Sequence, residues 1–329
     1  MALSIDRKPV PTRIGPCDEA YIDELRGLSI FRVVLVHLGL ARLAIPYSEY
    51  ILAFLPLLFF VSGAVSWFSY GRTSRVRVFL IRRLVLLMTP VLLLAVPGFI
   101  AQAYSSGGWY WTVAGDWLLL NPPSSATPFP LGQIWFLRSL VLITLLSGIV
   151  FPLATRHRTM LLVPVAISLL LSAIELELGI SSWMRYRGIN FYQPLANMGF
   201  FYIGAWFYDR RATGKSVYYR SSVLVAGAVM VLSLLLVLPE VGLSNHTYAP
   251  DLYYLSSGFL ATALVMALQG QIQSVIERCS ALRQLILYFN RHAFSIFLLH
   301  SLVLHFTEQA LGLVDVMGRP GPAGLKVTI

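Results

Sequence analysis

Between residues 21 and 40 the chain reads YIDELRGLSIFRVVLVHLGL, an apolar run that nevertheless carries Asp23, Glu24, Arg26, Arg32 and His37. Ionisable side chains are expensive in lipid, so in a helix that crosses a bilayer they face a bundle interior or a water-filled cavity. Arg26 and His37 are eleven residues apart, about three helical turns, and Asp23 precedes Arg26 by three, so all three project from nearly one face. At 1.5 Å per residue, His37 lies roughly 16 Å along the helix from Arg26. An imidazole with an ordinary pKa near ~6.5 is largely neutral at physiological pH and able to exchange a proton. The plain alternative is a buried histidine bonded to a neighbouring carbonyl, with Asp23 and Arg26 as an interfacial ion pair. From this segment alone the alternative is the stronger.

Other residues bear on the choice. Arg72, Arg75, Arg77, Arg82 and Arg83 form a dense basic cluster around residues 72–83. Arginine suits phosphate pairing, but topology bias and attraction to anionic lipid also explain basic residues beside a membrane. That bland reading is favoured for Arg72, Arg75 and Arg77. Arg82 and Arg83 follow Phe79 inside an apolar run, where snorkelling is costlier, and are favoured as ligand contacts. Arg138 sits within another apolar run and needs a partner, for which Asp116, Glu175 or a substrate anion are candidates. Ser62 and Gly63 would let a helix or a ligand approach closely. His157, His246, His292 and His305 have no comparable claim, and no pair of histidines or carboxylates at helical spacing forms a credible metal site.

The elements that must position these residues are helices. Of 329 residues 57% are hydrophobic and 12% charged, and the mean hydropathy of +0.71 reflects apolar runs of roughly 20 residues that recur along the chain. The runs are too long and too Leu-rich for the tilted strands of a barrel, so the expected fold is all-α, a polytopic membrane helical bundle. Spans are predicted near 28–45, 50–69, 79–103, 133–155, 159–179, 194–209, 218–238, 251–270 and 285–308. Lys and Arg gather in alternate connections, at Arg7, Lys8 and Arg13, at Arg72 to Arg77, at Arg156 and Arg158, at Arg210 to Arg220, and at Arg278 and Arg283. The opposite connections hold only Arg42, Arg185 and Arg187, which puts the N-terminus in the cytoplasm. The net charge of +10 therefore reads as topology rather than as nucleic-acid binding. Cys17 and Cys279 both fall on the cytoplasmic side, where a structural disulfide is not expected. Residues 104–132, with Trp109, Trp111 and Trp117, read either as a lid lying on the bilayer or as an irregular interfacial connector. The organisation is then a tail over 1–21, a transmembrane domain over 22–308 and a flexible tail over 309–329, with no early apolar segment of the kind found in a cleavable signal peptide.

Five stretches in order carry a resemblance: YIDELRGLSIFRVVLVH with its Asp-x-x-Arg-Gly and the His eleven residues after the Arg, FFVSGAV (59–65), FLIRRLVLLMTP (79–90), IWFLRSL (134–140) and FSIFLLHSLV (294–303). Together they resemble the membrane acyltransferase-3 family. The resemblance implies an integral membrane O-acyltransferase that moves an acyl group, most often acetyl from acetyl-CoA on the cytoplasmic side, to a hydroxyl of a carbohydrate or other acceptor. Two departures stand out. Where many members carry a further Arg three residues after the basic pair, this chain has Leu86, and Phe136 and Arg138 bring the fourth helix closer to the branch that includes glucan-modifying enzymes. The family usually has ten spans against nine here, so either a short or amphipathic helix lies near 271–284 or the C-terminus is outside.

An alcohol is a poor nucleophile at neutral pH, so acyl transfer needs a base within hydrogen-bond reach, and His37 is the best-placed candidate. An acyl-histidine intermediate is an alternative. Asp23 and Arg26 then shape the cytoplasmic mouth. Arg82 and Arg83 are expected on the phosphates of acyl-CoA, Ser62 and Trp135 at the thioester site, and Arg138 and His300 toward the acceptor. The expected partners are acyl-CoA, a carbohydrate hydroxyl and membrane lipid, with a homodimer left open. The main rival is a transporter or flippase, in which the intramembrane Arg and His would serve substrate or protons; it predicts inverted repeats and matching broken spans. A non-catalytic assembly subunit would tolerate replacement of His37.

Overall fold

The computed structural model describes residues 14–37, 54–73, 75–105, 115, 119–120, 134–186, 189–217, 219–237 and 243–310. Within them eleven α-helices follow one another: α1 (Pro16–His37), α2 (Pro56–Thr73), α3 (Val76–Ser105), α4 (Ile134–Arg156), α5 (Val163–Leu178), α6 (Tyr192–Ala212), α7 (Tyr219–Val237), α8 (Leu252–Ala267), α9 (Gln269–Arg278), α10 (Ser280–Arg291) and α11 (Ala293–Ala310). The only strands among the described residues are a two-residue antiparallel ladder, β1 (Arg185–Tyr186) and β2 (Ile189–Asn190), in register Arg185 to Asn190. The fold is all-α.

Helix ends follow the chemistry of their first and last residues. Proline opens α1 and α2, where its missing N–H costs nothing, and Asp18 and Glu19 complement the N-terminal dipole of α1. Asp251 caps α8 by accepting from the Tyr254 N–H at 3.0 Å.

The most extensive helix contact is between α2 and α6. A Cβ on Gly63 would collide with the Phe201 carbonyl, and one on Gly204 with the Phe60 carbonyl, so each helix offers a glycine where the other's backbone passes. The close-approach reading of Gly63 therefore belongs to helix packing. Around this crossing Phe59, Trp67, Phe79, Phe151 and Tyr202 are fully buried. At one end of the crossing, Trp67 donates its indole N–H to Asp209 Oδ1 at 3.2 Å, and the Arg158 guanidinium reaches the same carboxylate at 3.4 Å.

Every window expected to span contains a helix, although the first continues into 38–45, outside the described residues. Among the described residues two stretches, Ile134–Arg156 and Arg158–Leu178, have by themselves the length and apolarity to cross a membrane, and α8 with α9, bent by 64°, makes a third as a pair. The last window is divided. The chain turns at His292, so residues 285–291 belong to α10 and the apolar helix begins at Ala293. The polar triplet Asn290-Arg291-His292 is the reason: it interrupts the apolar run between Ile286 and Phe294. Helices α9 and α10 occupy the region where the sequence allows a short amphipathic helix. Helix α10 packs on α1, with the Ile286 carbonyl seated against Gly27 at a place where a Cβ would not fit. The loop 104–132 and both tails, apart from residues 14–21, 104–105, 115, 119–120 and 309–310, lie outside the described residues.

Candidate active site

Six helices meet around a cavity of about 300 Å³. Arg26 and Ile30 come from α1, Ser62 from α2, Arg83 from α3, Phe136 from α4, Asn290 and Arg291 from α10, and Phe297 from α11. A second cavity of about 340 Å³ adjoins it, lined by Ser69, Arg72, Thr73 and Arg82. Val65, Arg83 and Leu86 line both. Three of the five clustered arginines, Arg72, Arg82 and Arg83, thus converge, and Leu86 stands at the shared wall.

Arg83 is the hinge of this arrangement. One of its guanidinium nitrogens donates to Ser66 Oγ at 2.7 Å, while its buried Nε has no hydrogen-bond partner among the described residues. A buried guanidinium N–H without a partner is costly, and an anion in either cavity would relieve it. Arg26 is held from two sides, by Asp23 Oδ1 at 3.1 Å and by the Asn290 side-chain oxygen at 2.5 Å. The Asp23–Arg26 ion pair expected in the plain reading is therefore present, and Arg26 lines the cavity as well.

At the other end of α1 the rings of His37 and His300 meet, centroids 4.8 Å apart and tilted by 61°. His300 is buried, and its Nδ1–H donates to the Phe297 carbonyl at 2.7 Å. That bond fixes the tautomer, so in the neutral ring Nε2 carries the lone pair. The Phe297 ring, 6.1 Å from that of His300, lines the first cavity. The cavity and the histidine pair are thus linked through one side chain.

The remaining expectations fare unevenly. Ser62 lines the cavity, and its carbonyl accepts from Ser66 Oγ at 2.6 Å. Trp135 stands one position beside the wall, its ring 6.5 Å from Phe59 and 6.0 Å from Phe136, and Phe136 is the aromatic that faces the cavity. Arg138 is buried and donates to the Leu120 carbonyl at 3.5 Å. Its suggested partner Glu175 instead binds the backbone N–H and hydroxyl of Ser181, at 2.6 and 2.7 Å, and Asp116 lies outside the described residues. Asn290, Arg291 and Ser66 were not anticipated. The polar interruption at 290–292 was the one signal of Asn290 and Arg291 in the sequence, and Ser66 had none. Glu24, at the mouth of α1, is buried with Oε2 unpartnered among the described residues, and burial pushes its carboxyl above the ordinary range.

A family model described as an acyltransferase domain matches residues 19–323, which takes in every residue that lines the two cavities and both members of the histidine pair. No curated protein and no solved structure matches the chain.

Proposed function

The chain belongs to the acyltransferase-3 family of membrane proteins and is an acyltransferase; from that premise we propose that it transfers acetyl from acetyl-CoA, at the cytoplasmic face, to a hydroxyl of a carbohydrate, with His37 as general base. The observation that carries the donor site is Arg83, whose unpartnered Nε stands at the wall between two adjoining cavities. A coenzyme with phosphates at two places needs cations at two places. Arg72 and Arg82 serve one, and Arg83 with Arg26 and Arg291 serve the other. Leu86 stands at the shared wall where many members of the family carry a further Arg, and Arg291 supplies a charge from α10 instead.

The donor supplies an activated acyl carbonyl. Ser62, Phe136 and Phe297 line the way from the cationic end toward His300 and His37. His37 takes the proton of the acceptor hydroxyl while its oxygen forms the new C–O bond, the C–S bond breaks, and the proton passes to the departing sulfur. His300, fixed by the Phe297 carbonyl, holds the His37 ring edge-on and so limits its rotation. Arg138 is assigned to the acceptor side, and the acceptor to the polysaccharide type.

Membership of a membrane family and the distribution of Lys and Arg support a polytopic topology in the cell membrane, nine crossings beginning in the cytoplasm. In that arrangement α9 and α10 run along the cytoplasmic surface, and α11 ends on the far side. The transporter reading falls away with the enzyme class.

The test is made on protein purified in detergent, by calorimetric titration with acetyl-CoA and by the slow hydrolysis of its thioester. His37→Ala should bind acetyl-CoA as the wild type does and lose about 10²–10⁴-fold in turnover. Arg82→Ala/Arg83→Ala should bind at least tenfold more weakly. Absence of saturable acetyl-CoA binding in the wild type overturns the donor assignment, and undiminished turnover in His37→Ala overturns the base.

A further inference from the structure

Away from the active site, α5, α6, α7 and α8 line a cavity of about 450 Å³. Its wall is apolar, with Phe60, Leu169, Ile203, Trp206, Val229 and Phe259 contributing, and no charged side chain among the described residues lines it. The volume falls in the range of small-molecule sites, ~300–1,000 Å³. A sugar or a nucleotide would leave its polar groups unmet here, so the occupant is a hydrocarbon for most of its length.

Two observations say where that hydrocarbon turns polar. Thr262 faces the cavity from α8, is 5% exposed, and its hydroxyl has no hydrogen-bond partner among the described residues. One end of the cavity is closed by Trp206 and Val217, and there the Arg210 guanidinium lies 5.3 Å over the Trp206 ring. Arg210 donates one N–H to the Ser216 carbonyl at 3.0 Å, while its buried Nε has no partner among the described residues. Lys215 follows in the same connection and Arg220 at the start of α7. A cation beside one end, an unmet hydroxyl and an apolar lining match the phosphate, ester and chain of one class of molecule.

We propose that this cavity is a binding site for a phospholipid, with one acyl chain between α6 and α7, an ester oxygen at Thr262 and the phosphate at Arg210. The site is separate from the acyl-CoA cavities, sharing none of their lining residues. It rests on membrane residence and not on the acyl-transfer reading. Helix α7 packs chiefly on α8, and the lipid would tie it to α6.

The experiment is native mass spectrometry of the full chain, delipidated and then titrated with dioleoyl phosphatidylglycerol, or with dioleoylglycerol as the phosphate-free probe. The wild type should hold one phosphatidylglycerol per chain, at least tenfold more tightly than dioleoylglycerol. Ala226→Trp, which fills the cavity, should lower retention at least tenfold, and Arg210→Ala should remove the preference over dioleoylglycerol. The helical circular-dichroism signal and thermal melt of both variants check that they are folded. A second measurement needs no variant: phosphatidylglycerol with a diazirine near the end of one chain should label the segments holding Val229 and Phe259. Equal retention of the two lipids by the wild type, unchanged retention in Ala226→Trp, or labelling confined to outward-facing residues such as Leu232 and Leu236 overturns the proposal.

Discussion

Arg26 is fastened by two bonds of unequal worth. Its pair with Asp23 is a helical i,i+3 contact with both side chains more than a third exposed, 36% and 52%, and such pairs contribute about 0.2–0.5 kcal/mol. Its bond to Asn290 is partly buried and joins α1 to α10, and a bond to a charged group contributes about 1.5–3 kcal/mol. Asn290→Ala should therefore weaken acetyl-CoA binding about five- to tenfold by freeing the guanidinium, while Asp23→Ala changes it less than twofold; titration of both variants checks the order. Glu24 gives a second test at this scale. Its folded-state pKa lies above the ordinary 4.5 because burial disfavours the charged form, so the native state binds a proton more tightly than the unfolded chain. Stability attributable to this group is then complete below the ordinary carboxylate range and falls as pH rises through the raised value. Glu24→Gln should raise the melting temperature at pH 7 and lose that advantage near pH 4; a thermal-shift series across pH reads it directly. Individual residues were unevenly legible in the sequence. The shared face of Asp23, Arg26 and His37 follows from helical period, whereas the meeting of His37 with His300 depends on how α1 and α11 pack and leaves no trace in local spacing.

Among the elements, the α2–α6 pair sets the frame for the candidate site, because α2 contributes Ser62 to the first cavity from the turn that crosses α6. Gly63→Ala and Gly204→Ala would each drive a methyl group into a backbone carbonyl of the opposite helix, which cannot swing aside as a side chain can. Each should destabilise by about 3 kcal/mol or more, at or beyond the upper end of ordinary overpacking. Gly227→Ala provides the contrast. The nearest atom to its added methyl is Leu260 Cδ1 at 3.8 Å, an ordinary contact, so the gain in helix propensity of about 0.5–1 kcal/mol should show as equal or higher stability. Melting temperatures of the three variants in detergent decide the matter. The same scale explains why nine helices were readable from hydropathy and two were not. A span declares itself by an unbroken apolar run. Helices α9 and α10 instead mix apolar Ile272, Ile276, Leu285 and Ile286 with Gln273, Glu277, Arg278 and Arg283, and composition alone leaves such a segment ambiguous between a loop and a surface helix.

For the whole molecule the decisive property is sidedness, since the proposed coenzyme, coming from the cytoplasm, would have to meet Arg72, Arg82 and Arg83 from that side. The chain carries its own reporters. Cys17 at the start of α1 and Cys279 between α9 and α10 are both exposed, and nine crossings that begin in the cytoplasm put both on the inner face with the basic connections. Tyr248, before α8, is 53% exposed, and the same nine crossings would put it on the opposite face. In intact cells a membrane-impermeant maleimide should leave the wild-type protein unlabelled and should label Tyr248→Cys. After the membrane is opened, Cys17 and Cys279 should react as well. Labelling of Cys17 alone in intact cells would place the two cysteines on opposite faces and require an odd number of crossings between α1 and α9, breaking the single-sided cationic site. Labelling of both would invert the molecule and separate its arginines from the coenzyme altogether. The outcome in which neither reacts until the membrane is opened sets Arg72, Arg82 and Arg83 facing the cytoplasm, with His37 about three helical turns deeper along α1 than Arg26.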